Sequence, residues 1–179
     1  MPTSFLASLP LERLDPASLW TLLPTDVRAL AARSLYARDR EDPSARKLAD
    51  IAIATALRFR EVAVRKLPLD RRVEFLARAV RPDDSLGSSL LLALHMEHRR
   101  PMLAAFLDHL GIAHEDGAIR DGSHIAPQPE DRLSAAAERL FESFPVEEVE
   151  IYLASLLVLD PDTWGALTAV LEKRRAATA

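Results

Sequence analysis

The sequence predicts an all-α protein, about eight helices packed as an irregular bundle or a short helix-pair stack, with a reading as two related halves left open. Three observations carry this. Apolar residues recur at helical spacing along most of the chain, and no strand-like alternation of any length competes. Most of the twelve prolines stand where helices should begin, and only five glycines interrupt the pattern. The composition, 49% hydrophobic and 28% charged, is that of a chain that folds around a core. At 179 residues, a single α-helical domain spanning 1–179 could bury roughly 70% of its unfolded surface.

Taken in order, Asp15 and Pro16 start a short helix that runs to about Leu22. A helix from Thr25 to Ala37 follows, ended by the polar run RDRED. Asp42-Pro43 repeats the same start, and no breaker follows before Pro68, so the pattern predicts a helix of up to 24 residues from Pro43 to Lys66. Its apolar positions Leu48, Ile51, Ala52, Thr55, Ala56, Phe59, Val62 and Ala63 keep helical spacing. Such length and periodicity predict a central, buried element.

PLDRRVEFLARAV gives the next helix, and PDDSLGSSLLLALHMEH the one after it, capped by Asp83 or Asp84. Ser88 and Ser89 read as the small face of a closely packed helix. Pro101 opens PMLAAFLDHL, which Gly111 ends from the position just past the helix. From 112 to 129 the pattern fails. Two Asp-Gly pairs and Pro127 and Pro129 predict an irregular loop, with a small hairpin turning at Asp116-Gly117. Three more proline-started helices close the chain, in PEDRLSAAAERLFESF, PVEEVEIYLASLLVL and DPDTWGALTAVLEKRRAA.

A weak internal echo aligns residues 66–80 with 143–157, pairing Pro68 with Pro145, Phe75 with Tyr152, Leu76 with Leu153 and Ala77 with Ala154. Val73 falls opposite Glu150 and breaks it. A single echo between two amphipathic helices is below what a repeat requires.

The absence of cysteine excludes disulfides and thiolate chemistry. The N-terminal segment has no basic start followed by a long apolar stretch, and the longest apolar runs fall short of a membrane span, so a cytoplasmic protein without membrane association is expected. Net charge is −4, distributed unevenly: Arg58–Arg81 holds eight basic against three acidic residues, and Glu130–Asp162 nine acidic against two basic.

All five histidines lie between Leu94 and His124. His95 and His98, three apart on a helix, could share a divalent transition metal with His114 and Glu115 of the loop. The same HEDG segment places an imidazole beside two carboxylates, raw material for acid–base chemistry. Against both stands the lack of HExxH, of the paired ExxH of di-iron bundles and of a GxSxG elbow. Histidines near helix C-termini also gain from the helix dipole with no ligand at all.

The basic stretch 58–81 could face phosphates, yet Arg58, Glu61, Arg65, Glu74 and Arg78 are spaced for internal ion pairs. Trp20 and Trp164, in the similar contexts LDPASLW and LDPDTW, read as core residues before they read as anchors of a dimer seam. The leading expectation is therefore a non-catalytic intracellular interaction or scaffold module without a cofactor, binding a protein partner or itself. The alternatives are a metal-dependent enzyme or sensor using the cluster 95–124, and a nucleic-acid binder using 58–81.

Overall fold

The computed structural model describes residues 5–38, 43–119 and 125–178. The described residues are all-α: eleven α-helices and two 3₁₀ turns, with no β-strand. None of the helices is long and apolar enough to cross a membrane. The packing divides the chain into two compact units, Asp15–Glu97 and the remainder, in which the N-terminal segment joins the chain from His98 onward.

In the middle unit the helices are α1 (Pro16–Leu22), α2 (Thr25–Ala37), α3 (Pro43–Leu57), α4 (Glu61–Arg65), α5 (Leu69–Arg78) and α6 (Asp84–His98), whose last residue falls to the other unit. The start signals act as the sequence implies. Asp15 Oδ1 accepts from the Ser18 backbone N–H at 2.6 Å, while Ser18 Oγ accepts from the Asp15 N–H at 3.0 Å, closing a capping box. Asp83, not Asp84, caps α6, accepting from Leu86 N–H at 2.9 Å. Asp84 instead accepts from the Ala17 N–H of α1 at 3.2 Å, satisfying one of the donors a helix start leaves open. At Gly87 a Cβ would lie 2.9 Å from the Pro16 carbonyl carbon, so the glycine is what allows α1 to approach α6.

The predicted helix over 43–66 does not form as one element. It ends at Leu57, because Arg58 turns into the left-handed region at φ 55°. The Phe59 N–H then bonds to Ala54 O at 2.9 Å and the Arg58 N–H to Thr55 O at 3.3 Å, the pairing of a Schellman stop with arginine in the place glycine usually takes. Nor is the element central: Ile51 is 39% exposed and Phe59 47%. The face of α3 that is buried carries Ala45, Ala49, Asp50, Ile53 and Ala54.

The flanking unit opens with 3₁₀ turns at Phe5–Ser8 and Leu11–Arg13 and continues with α7 (Arg100–Leu110), α8 (Glu130–Ser143), α9 (Val146–Leu159), α10 (Pro161–Trp164) and α11 (Leu167–Thr178). Here α9 is the centre. Val149 through Ser155, together with Leu157, are buried on every side of the helix, and α8, α10, α11 and the first 3₁₀ turn all pack on it. Phe106 of α7 stands edge-on to Tyr152 at 5.6 Å and 5.8 Å from Trp164. The last predicted helix is two, parted at Gly165.

The two segments of the internal echo become α5 and α9, one in each unit. Their mismatch has a physical content. Val73 is an ordinary core residue, whereas Glu150 is buried and its Oε2 accepts from the Leu6 backbone N–H at 3.3 Å.

Candidate functional site

Each group of residues singled out by the sequence has a definite place. His95 is buried on α6 in the middle unit, and His98, the last residue of that helix, is exposed. His114 and Glu115 belong to the flanking unit, and His109 is exposed near the end of α7. His124 and the Asp121-Gly122 pair lie outside the described residues. Among the described residues no group of three or more histidines and carboxylates is placed to hold a metal ion.

The HEDG segment forms the expected hairpin. Glu115 and Ala118 exchange backbone hydrogen bonds of 2.8 and 3.0 Å, and Asp116 and Gly117 have φ of 49° and 79°, the two positive values a type I′ turn needs. His114 is the clamp of this hairpin. Its Nδ1 accepts from the Gly117 N–H at 3.1 Å, which leaves the neutral ring's proton on Nε2, facing Asp108 Oδ1 at 3.1 Å. Both nitrogens are thereby occupied by the protein itself. Gly117 sits so close to α7 that a Cβ would meet Leu103 Cβ at 2.7 Å. Asp116 faces Arg100 at 3.3 Å. The arrangement holds the hairpin in place against α7.

The basic stretch is half neutralised from within. Arg65 pairs with Glu61, Arg71 and Arg78 with Glu74, and Arg72 with Asp50 at 3.5 Å. The last pair belongs to a buried cluster that nothing in the sequence pattern announces. The Tyr36 hydroxyl donates to Asp50 Oδ1 at 2.9 Å and the Arg72 guanidinium lies 4.8 Å from the Tyr36 ring centre. Burial, and then the adjacent Asp50 carboxylate, push the Tyr36 phenol well above its ordinary value. It stays a donor to that carboxylate. Trp20 and Trp164 are buried, at 0% and 3% exposure, and anchor no open surface.

What the cluster does to α3 creates the surface of interest. With Asp50 turned inward to meet Tyr36 and Arg72, residues Leu48, Ile51, Ala52 and Thr55 point away, at roughly 100–160° around the helix from it. They form one wall of a groove of about 510 Å³, whose other wall is Val80, Pro82 and Leu86 with Arg81 and Asp83 at the rim. Beyond the end of α3, Phe59, whose ring stands edge-on to Phe75 at 6.5 Å, and Val62, 61% exposed, are also at the surface. The stripe that the periodicity marks as core is therefore an exposed face. Burial of an aspartate inside α3 is the signal that would have oriented the helix correctly, but it is visible only once Tyr36 and Arg72 are in place around it.

No protein-family model matches the chain, and neither a curated protein nor a solved structure does.

Proposed function

We propose that the protein is a non-catalytic interaction module whose middle unit offers the α3 groove to an amphipathic helix of a protein partner. One observation carries the reading: an apolar stripe with the i, i+3, i+4, i+7 spacing of Leu48, Ile51, Ala52 and Thr55 lies at the surface beside a groove, where helical spacing would ordinarily direct it to the core. A groove with an apolar helical wall is matched by the apolar ridge of a second helix, the common helix-in-groove mode of recognition. Nothing comparable supports catalysis, since the imidazole best placed for it is spent on a hairpin.

The test is selection of a displayed library of helical peptides on the native protein and, in parallel, on the Ile51→Glu variant. Enriched helices with apolar residues at i, i+3 or i+4, and i+7 that bind the native protein and lose the variant are expected. Enrichment that ignores Ile51, or none, would overturn the reading.

A further inference from the structure

Resting on that reading, we infer that the helix received by the α3 groove is acidic, its apolar ridge on Leu48, Ile51 and Thr55 and its carboxylates against Lys47, Arg58, Arg60 and Arg81.

The charges around the groove are unbalanced in availability as well as in number. Lys47 flanks the stripe on α3, Arg58 and Arg60 follow immediately beyond its C-terminal end, and Arg81 stands on the rim. All four are exposed, and none has a carboxylate partner among the described residues. The nearby acids are fewer, and each has a bond within the protein, though a cap leaves the charge of Asp83 and Asp84 in place. Asp83 caps α6, Asp84 caps an N–H of α1, and Glu61 is held by Arg65. A ligand at this groove therefore meets apolar surface with Arg81 and Asp83 in its lining and Lys47, Arg58 and Arg60 close by in sequence, a local excess of positive charge that complements acidic side chains.

The same distribution argues against a second copy of this chain as the occupant. A two-fold pairing of α3 stripes, in either orientation, would bring a lysine- or arginine-bearing end of one helix toward a basic end of the other, and like charges across an interface oppose association. Nucleic acid would use the cations but leave Ile51, Phe59 and Val62 without a role.

The backbone at Arg58 adds weight. A non-glycine residue with positive φ is a strained choice, and here it places a cation at the end of the apolar stripe where glycine would have served the turn better.

The decisive experiment uses two stapled, fluorescein-labelled 16-residue helices with leucine at i, i+3, i+4 and i+7, one carrying glutamate and the other lysine at the flanking positions. Binding to the full chain is followed by fluorescence anisotropy at low and at 0.5 M salt. The glutamate helix is expected to bind about tenfold more tightly than the lysine helix. That preference should collapse in the Arg58→Ala, Arg60→Ala, Arg81→Ala triple variant and at high salt, while Ile51→Glu, or Thr55→Glu should the first variant fold poorly, abolishes binding of both. Equal affinities, a preference for lysine, displacement of the glutamate helix by a short DNA duplex, or a concentration-dependent dimer broken by Ile51→Glu would each overturn the inference. If neither peptide binds but the displayed library still yields Ile51-dependent helices, the acidic inference fails alone. If the library yields none, the interaction reading fails with it.

Discussion

The two units of this chain dispose of their apolar residues in opposite ways. Among the described residues, the large hydrophobic side chains left exposed are Leu22, Leu30, Leu48, Ile51, Phe59, Val62, Leu69 and Leu92 in the middle unit, against Val146 alone in the flanking unit. The charges run the same way. The middle unit carries fourteen basic and twelve acidic residues, the flanking unit nine and fifteen. Their principal helices show the cause. In α9 the apolar residues go all round the helix, and from Val149 to Ser155 every side is covered. In α3 the buried side is mostly alanine, with Asp50 among it, and the larger Leu48 and Ile51 are turned out. The flanking unit encloses nearly all its large apolar side chains, and the middle unit displays part of its own, which is why the proposed docking surface lies there.

This contrast predicts a graded series of stability effects. The largest belongs to Phe106→Ala, which removes a fully buried ring from between Tyr152 and Trp164 and is expected to cost about 3–5 kcal/mol in urea denaturation. A cost below about 1 kcal/mol would mean that the flanking unit is not closed around this cluster.

Next comes Asp50→Ala, expected to cost about 3 kcal/mol because the Arg72 side chain, only 11% exposed, loses its carboxylate and the Tyr36 hydroxyl its acceptor. Tyr36→Phe, which removes one hydrogen bond and leaves the ion pair, should cost nearer 1 kcal/mol. Were the two equal, the orientation of α3 could not be attributed to the carboxylate.

The comparison is sharpest between neighbours on one helix. Ile53→Ala is expected to cost at least about 2 kcal/mol and Ile51→Ala less than about 1, because the first side chain is fully buried and the second is not. Equal costs in thermal or urea unfolding would return the stripe to the core and remove the basis of the proposed function.

A smaller effect tests a helix start. Asp15→Ala should cost about 1 kcal/mol through loss of the capping box. The Ser18 hydroxyl and then its backbone N–H hold the Asp15 carboxyl below its ordinary value of 3.8, so the cap contributes fully above that pH and is lost as pH falls through the lowered folded value. The stability difference between native protein and variant should therefore shrink in acid. Smallest is Arg58→Gly, expected to raise stability by about 0.5 kcal/mol by relieving the positive φ. A loss of stability instead would show that the guanidinium, and not the turn, is what the fold requires there.

The legibility of these features differs between closely similar structures. Arg58 and Gly111 end their helices with the same pair of backbone hydrogen bonds, yet Gly111 announces a stop and Arg58 does not. Glycine reports the conformation because it alone adopts it without strain. At Arg58 the chain takes a conformation that local preference opposes, so the sequence pattern ran the helix on to Lys66. The hairpin at Asp116-Gly117 was legible for the reason Gly111 was. The role of His114 was not, since a histidine beside two acids looks alike whether it serves a substrate or a backbone N–H.

Fold class and the helix starts followed from the chain alone, because the period of apolar residues, the proline ring and the short side chains of Asp15 and Asp83, and of Asp160, which accepts from the Thr163 N–H at 3.2 Å, act within a few residues of themselves. Which face of α3 meets the core, and hence where a partner could bind, was decided in three dimensions. Asp50 finds Tyr36 fourteen positions away and Arg72 twenty-two positions away, and a buried carboxylate that must be paired outweighs the pull of two partly covered aliphatic side chains toward the interior. Local pattern sets the period of a helix; only the groups brought to it from elsewhere set its rotation.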